Sequence, residues 1–211
     1  MHMDNIQFKI QEAIQILKEG GIVIYPTDTA FGIGCRIDDA AAVDKLFSIR
    51  RRPTTQATPV LVESIAQALS YYDSPNDIVR RLMKTYWPGA LTIIAKCKKN
   101  LILSPIRGGG EMVGLREPDH ETALSLIRGV GVPILGPSAN FHGEPTPYTF
   151  DSLDPELIKL VDYVVPGKYK AGLPSEASAK EGNVSTVVDV AATPPKIIRQ
   201  GAVTLQREDL I

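Results

Sequence analysis

Residues 22–32 read IVIYPTDTAFG, a short apolar run that leads directly into a polar turn. The run Ile22–Tyr25 predicts a buried strand, and Pro26 ends it. In open α/β sheets, ligands bind at such strand ends, because the loops there expose hydroxyl and backbone N–H groups. The turn is therefore a candidate binding site. An Asx turn built by Asp28 is the alternative, and it would explain the same residues without any ligand.

Helices and strands alternate on both sides of this strand. Apolar residues at helical spacing predict helices near residues 6–17, 38–48, 65–72, 75–86 and 121–128. Short apolar runs predict further strands near residues 59–62, 91–95, 112–116, 132–135, 163–165, 186–188 and 197–198. The many strands and the uneven helix spacing favour one α/β domain, residues 1–211, built on a twisted open mixed sheet. The Gly-, Ser-, Lys- and Glu-rich stretch 168–183 predicts a mobile surface loop.

Composition narrows the class of protein. The 211 residues are 44% apolar and 22% charged, which is typical of a compact domain rather than a disordered or fibrous chain. Cys35 and Cys97 have no CxxC spacing, and the histidines form no HExxH or HxH pair, so we expect no protein-held metal. No apolar window is long enough for a membrane span or a signal peptide, so we expect a cytoplasmic protein without a membrane partner.

Three consecutive arginines, Arg50–Arg52, end the second predicted helix. Arginine at a helix C-terminus complements the helix dipole, so a solvated cap is one interpretation. The other is a phosphate clamp, because guanidinium groups bind phosphate oxygens bidentately. The net charge of the chain is only −1, so any phosphate site requires such a local concentration of cations.

Three other segments contain candidate binding residues. Arg116 lies in the apolar segment 113–118, where a cation is costly unless paired, so it is either ion-paired or the receptor of a ligand carboxylate. Residues 136–140, GPSAN, follow a predicted strand; small residues permit close approach of a ligand, and a simple turn explains them equally. Residues 107–110, RGGG, lack the spacing of a P-loop or a dinucleotide fingerprint and predict a hairpin or mobile loop.

Taken together and in order, these segments resemble those of a known family. They are PTDTAFGIGC (26–35), RRRP (50–53) with PVLV (59–62), WPGALTI (87–93), VGLREPDH (113–120), GPSAN (136–140), STVVD (185–189) and IIRQGA (197–202). The chain resembles the YrdC/YciO family of threonylcarbamoyl-AMP synthases over a motif-bearing core of about residues 20–202. The longer synthases carry an extra C-terminal domain, which we do not expect in this chain.

The resemblance implies a fold and a reaction. The fold is a YrdC-like α/β domain with a twisted open sheet and a large concave cleft. In the reaction, threonine and bicarbonate form a carbamate, whose oxygen attacks the α-phosphate of ATP and releases pyrophosphate. We expect ATP to carry Mg²⁺, held mainly by its phosphate oxygens. The product, threonylcarbamoyl-AMP, would then serve tRNA modification together with partner proteins.

The resemblance also assigns residues to the two substrates. For ATP, they are Arg50, Arg52, Ser138, Asn140, Thr146 and Arg199. For threonine, they are Thr29, Glu63, Arg116 and Ser185. Such a site positions the substrates and neutralises charge, so we expect no catalytic nucleophile or general base from the protein.

This sequence departs from the family pattern at a few positions. Arg50 replaces a lysine, Glu63 replaces a histidine found in some synthases, and Phe31 replaces a tyrosine. Five residues, 54–58, separate the prolines of RRRP and PVLV, where the family usually has fewer. Two other functions stay open. One is an RNA-binding module that uses the same cleft without catalysis, against which the net charge of −1 argues. The other is a paralogue that acts on a related small substrate.

Overall fold

The computed structural model describes residues 2–167 and 184–211, so the predicted loop 168–183 lies outside the described residues. Its α-helices are α1 (His2–Lys18), α2 (Ala40–Ile49), α3 (Ile65–Tyr71), α4 (Asp77–Tyr86), α5 (Glu121–Val130) and α6 (Pro155–Leu160). Its strands are β1 (Val23–Pro26), β2 (Phe31–Gly34), β3 (Val60–Leu61), β4 (Leu91–Lys96), β5 (Met112–Arg116), β6 (Ile134–Leu135), β7 (Tyr163–Val164), β8 (Thr186–Asp189) and β9 (Lys196–Arg199). No helix in this described part is long and apolar enough to cross a lipid bilayer.

The strands form two mixed sheets. The larger sheet has the order β6-β3-β5-β4-β8-β9, and it combines the parallel pairs β3–β5 and β4–β8 with three antiparallel pairs. The smaller sheet has the order β2-β1-β7. Single bridges from Gly32 to Ser138 and from Arg36 to Ile134 join the two sheets beside β2 and β6. The predicted mixed α/β architecture is confirmed, with its strands divided between two connected sheets.

The local sequence explains helix α2, whose C-terminal end reaches the candidate site described below. Asp39 caps the helix, because its side chain accepts a hydrogen bond from the backbone N–H of Ala42 at 3.0 Å. Val43, Leu46 and Phe47 are buried, as their helical spacing predicted. The helix therefore lies with one face in the core, and its C-terminal end carries the three arginines.

Two elements were missed by the sequence analysis, and one helix start was placed too early. Strand β2 contains two glycines among four residues and reads as a turn, and α6 has only six residues, too few to show a period. Helix α4 begins at Asp77 with Asn76 as its cap, so Pro75 precedes the helix instead of opening it. The missed strand matters for the site, because it pairs with β1 immediately after the polar turn.

A close backbone approach holds β2 against β6. The carbonyl oxygen of Leu135 accepts a hydrogen bond of 2.7 Å from the buried hydroxyl of Tyr25. A Cβ atom placed on Gly34 would lie only 2.2 Å from the same oxygen, so a side chain there cannot be accommodated without moving the backbone. Glycine at position 34 therefore permits the approach that brings the turn after β1 next to the segment after β6.

Replacing Gly34 with alanine is expected to lower the free energy of unfolding by about 1–3 kcal/mol, because the new methyl group would displace a backbone carbonyl in the core. Urea unfolding of the purified protein measures this change. Gly110→Ala is the matched control, since its added Cβ would meet only the carbonyl oxygen of Arg107, at 3.4 Å. The control should stay within about 0.5 kcal/mol of the parent. Equal stabilities for the two variants would contradict the role given to Gly34.

Candidate functional site

A pocket opens where strand ends from the two sheets meet the end of a helix. The C-terminal ends of β1, β3 and β5 reach it, as do the N-terminal ends of β4 and β8, because β4 runs antiparallel to β5. The C-terminal end of α2 closes another side. The cavity volume is about 180 Å³. The expected large concave cleft is not established by this volume and stays a prediction.

Eight of the ten sequence-predicted site residues line this pocket. They are Thr29, Arg50, Arg52, Arg116, Ser138, Thr146, Ser185 and Arg199. Sequence reasoning missed Thr92, which also lines the pocket. The signal was weak, because Thr92 is a single hydroxyl inside an apolar strand. The structure brings these side chains together, while their assignment to ATP or threonine stays a prediction.

The polar turn after β1 is built by Thr27 instead of Asp28. The Thr27 hydroxyl donates to the carbonyl of Ala30 at 2.7 Å and accepts from the backbone N–H of Ala30 at 3.3 Å. It also accepts from the backbone N–H of Thr29 at 3.2 Å. The Asx-turn interpretation is therefore wrong, and the carboxylate of Asp28 is left available for another partner.

That partner is Arg116, which is buried at the C-terminal end of β5. Its Nη2 donates to the carboxylate of Asp28, and both side chains are almost fully enclosed, with exposed fractions of 6% and 7%. Its Nη1 donates to the hydroxyl of Thr29 at 2.8 Å, and its Nε to the carbonyl of Gly89 at 3.0 Å. A guanidinium has five N–H groups, so these three bonds leave two of them unused. Of the two sequence interpretations, the ion pair is confirmed, and the role of carboxylate receptor stays a prediction.

Arg199 and Ser185 form a second polar cluster where β9 lies beside the start of β8. The Arg199 guanidinium donates to the Ser185 carbonyl through Nε at 3.1 Å and Nη2 at 2.8 Å, and Nη2 lies 3.0 Å from the Ser185 hydroxyl. That hydroxyl lies 2.9 Å from the hydroxyl of Thr92. Burial of the guanidinium lowers the pKa of Arg199, and the positive charge of Arg116 lowers it further.

Arg50 is the most deeply buried of the arginines at the end of α2, with an exposed fraction of 3%. It donates to Asn140 twice, from Nε to the backbone carbonyl at 3.1 Å and from Nη2 to the side-chain oxygen at 3.3 Å. Its Nη1 is buried and has no hydrogen-bond partner among the described residues. Burial, reinforced by the charge of Arg52, lowers the pKa of Arg50 to about 10.

Arg52 is held by the loop that follows it. Its Nε donates to the carbonyl of Gln56 at 3.1 Å, and its Nη2 donates to the carbonyl of Ala57. Its Nη1 lies 3.3 Å from Nδ1 of His142. Partial burial lowers the pKa of Arg52. The five-residue segment 54–58, which departs from the family pattern, therefore supplies backbone acceptors for a pocket arginine.

Asn140 and Glu63, two of the predicted site residues, do not line the pocket. The side-chain oxygen of Asn140 accepts from Arg50 and, at 2.6 Å, from the hydroxyl of Ser138, so the amide is turned toward its neighbours. Glu63 lies two residues beyond β3, where its backbone N–H donates to the side chain of Gln67. Asn140 thus contacts two lining residues, Arg50 and Ser138, without lining the pocket itself, and Glu63 lies past the strand end.

The charge of the pocket is strongly positive. Asp28 pairs with Arg116, whereas Arg50, Arg52 and Arg199 form no ion pair with a carboxylate in residues 2–167 and 184–211. The described lining residues include no Asp, Glu, Lys, His or Cys. Such an arrangement suits a polyanionic ligand, and its remaining functional groups are hydroxyls and backbone amides.

Known proteins are similar to this chain in both sequence and fold. Residues 15–201 match the Sua5/YciO/YrdC family, whose description is "Telomere recombination". Threonylcarbamoyl-AMP synthase of Bacillus subtilis (strain 168) is 32% identical over 203 residues, a match that covers 96% of this chain and 56% of that protein. The crystal structure of Pyrococcus abyssi Sua5 complexed with L-threonine is similar with a TM-score of 0.82 and 28% identity, covering 94% of this chain and 55% of that one. Escherichia coli YciO is similar with a TM-score of 0.74 and 27% identity, covering 96% of this chain and 92% of that one.

The extent of these matches differs between the relatives. The chain spans about half the length of the Bacillus subtilis synthase and of Pyrococcus abyssi Sua5, and nearly all of YciO. The family match covers six of the seven motif segments completely. Of the last segment, 197–202, it covers residues 197–201. The chain therefore belongs to the Sua5/YciO/YrdC family.

Proposed function

We propose that the chain is a nucleotidyltransferase that forms threonylcarbamoyl-AMP from threonine, bicarbonate and ATP and releases pyrophosphate. The observation that carries the proposal is the convergence of Arg50, Arg52 and Arg199, without described carboxylate partners, on one pocket. The similar proteins support the same substrates. One is named threonylcarbamoyl-AMP synthase, and another was crystallised with L-threonine.

The phosphates of ATP would lie where α2 meets the segment after β6. There, Nη1 of Arg50 is a buried donor without an acceptor among the described residues, and a phosphate oxygen would satisfy it. The lowered pKa of Arg50 reflects the cost of keeping this cation buried beside Arg52 with no anion present. A bound triphosphate would offset that cost. The same cations would stabilise the charge that develops on the leaving pyrophosphate.

Threonine would lie at the opposite end, near Arg116. The ion pair with Asp28 fixes the guanidinium, and its two remaining N–H groups would bind the threonine carboxylate. The hydroxyls of Thr92 and Ser185 face the same pocket and offer hydrogen bonds to a polar substrate. Because the charge of Arg116 is already compensated, its guanidinium suits the single carboxylate of an amino acid better than a polyanion.

The reaction itself requires little chemistry from the protein. The threonine amine attacks the carbon of bicarbonate and water leaves, so that an N–C bond forms and the carbamate results. A carbamate oxygen then attacks the α-phosphorus of ATP, the new O–P bond forms, and pyrophosphate departs. The described lining residues contain no general base, so the pocket would act by holding the substrates in line and by stabilising charge.

We also propose that Mg²⁺ arrives with ATP. In the described residues, no group of three or more His, Cys, Asp or Glu side chains is placed to hold a metal ion. Asp28, which contacts the lining residue Arg116, is engaged in an ion pair with it. The ion would therefore be coordinated by phosphate oxygens and water, as Mg²⁺ prefers when it is bound with a nucleotide. The product is an activated mixed anhydride, and we propose that partner proteins in the cytoplasm transfer its threonylcarbamoyl group to tRNA.

Incubation of the protein with ATP, Mg²⁺ and bicarbonate is expected to release pyrophosphate only when threonine is added. A coupled pyrophosphate assay measures the rate, and serine and valine serve as control amino acids. Release of pyrophosphate without threonine, or faster release with another amino acid, would contradict threonine as the substrate. ATP binding without any release would favour the paralogue. Salt-sensitive RNA binding as the sole activity would favour the binding module.

The double variant Asp28→Asn/Arg116→Met is expected to raise the Kd for threonine by about tenfold or more, because the carboxylate loses its charge-assisted bonds. Changing both residues avoids leaving a buried, unpaired carboxylate, which alone would destabilise the fold. Calorimetric titration should also show a Kd for ATP within about twofold of the parent value. An equal loss for both ligands would contradict the division of the pocket into two ends.

Arg50→Met is expected to raise the Kd for ATP by about tenfold to a hundredfold, because a charge-assisted hydrogen bond to phosphate is lost. Arg80→Met is the matched control. Arg80 is an exposed residue on α4 that does not line the pocket, so its replacement should leave ATP binding unchanged. Fluorescence titration with a labelled ATP analogue measures both variants. An unchanged affinity for Arg50→Met would remove this arginine from the phosphate site.

A further inference from the structure

The three consecutive arginines at the end of α2 do not point the same way. Arg50 and Arg52 both line the pocket, whereas Arg51, between them, is not a lining residue. In a continuing α-helix, residues two apart are separated by about 200° around the axis, so they could not face one pocket. The backbone must therefore change direction between Arg50 and Arg52.

The change of direction is a left-handed residue at Arg51. Its φ is +53°, a region that glycine adopts readily and other residues seldom do. The backbone N–H of Arg52 donates to the carbonyl of Phe47 at 2.9 Å, and that of Arg51 to the carbonyl of Ser48 at 3.0 Å. These two bonds form the Schellman ending of a helix, whose left-handed position is usually glycine. Here an arginine occupies it, although the Cβ atom makes this conformation unfavourable.

The segment 140–142 holds this ending in place at each of its three residues. The backbone N–H of His142 donates to the carbonyl of Arg50 at 2.8 Å, and Asn140 accepts from the Arg50 side chain. The guanidinium carbon of Arg51 lies 4.2 Å from the centre of the Phe141 ring, a cation–π contact. Nδ1 of His142 lies 3.3 Å from Nη1 of Arg52. Contacts to a segment 90 residues away in sequence therefore offset the cost of the strained residue.

We propose that the left-handed turn at Arg51, fixed by residues 140–142, is the positioning element that directs Arg50 and Arg52 into one phosphate site. The proposal rests on the proposed function, because it takes these two arginines as ligands of the ATP phosphates. Arg51 is a positioning residue: its backbone conformation, not its charge, is what the site requires.

The test compares Arg51→Gly with Arg51→Val, which remove the same side-chain charge and the same contact with Phe141. Glycine adopts a positive φ without strain, so Arg51→Gly should bind ATP within about twofold of the parent. Valine strongly disfavours a positive φ, so the turn should relax and Arg51→Val should bind ATP about five- to thirtyfold more weakly. Arg51→Ala should lie between them and serves if the valine variant fails to fold. Titration with ATP and with inorganic pyrophosphate gives the Kd values, and the Kd for threonine should not change in any variant.

Thermal unfolding separates positioning from general stability. Lower melting temperatures for valine and alanine with unchanged Kd values for ATP would overturn the proposal, since the strain would then be purely structural. Equal weakening in the glycine and valine variants would also overturn it and would assign the effect to the Arg51 charge. If the parent protein itself binds neither ATP nor pyrophosphate, the proposed function fails, and the proposed phosphate site fails with it.

Discussion

Four arginines with like charges line one pocket, and their mutual repulsion is the constraint on which the structure of this site depends. For three of them, Arg50, Arg52 and Arg199, the hydrogen-bond acceptors in the described residues are carbonyl and amide oxygens, a serine hydroxyl and an imidazole nitrogen. Neutral acceptors fix the direction of a guanidinium without cancelling its charge. The positive field is thus preserved for a ligand. Burial lowers the pKa of all three arginines, and the charges of Arg52 and Arg116 further lower those of Arg50 and Arg199, respectively.

The fourth arginine, Arg116, differs from the other three because it forms an ion pair with a carboxylate. Arg116 is paired with the carboxylate of Asp28 deep in the interior, so its charge is compensated before any ligand arrives. The charge of Arg116 is therefore compensated, whereas those of Arg50, Arg52 and Arg199 are not. In the proposed reaction, the three uncompensated arginines would attract the nucleoside triphosphate, and the fixed guanidinium of Arg116 would bind the carboxylate of the amino acid.

Local patterns in the sequence predicted most of the fold, and the failure that bears on the site, strand β2, has a long-range cause. Helix α2 and strand β5 follow from the spacing of buried side chains, which is a property of each segment by itself. Strand β2 was missed because Gly32 and Gly34 read as turn residues. Gly34 is required by the carbonyl of Leu135, which lies a hundred residues further along the chain. A contact of that kind leaves no trace in the local pattern.

In the site, too, the motifs predicted which residues line the pocket, whereas the contacts between distant segments could not be predicted from the sequence. The ordered motifs predicted eight residues that line one pocket, whereas the hydrogen bonds between Asn140 and Arg50 are seen only in the folded structure. Residues 50–52 and 140–142 are separate motifs in sequence and one interlocked unit in space. A substitution in one is therefore tolerated only if the other still fixes the direction of the guanidinium groups. Coupling of this kind explains how an arginine can occupy a left-handed position that favours glycine: the opposing segment supplies the stabilisation that the residue itself lacks.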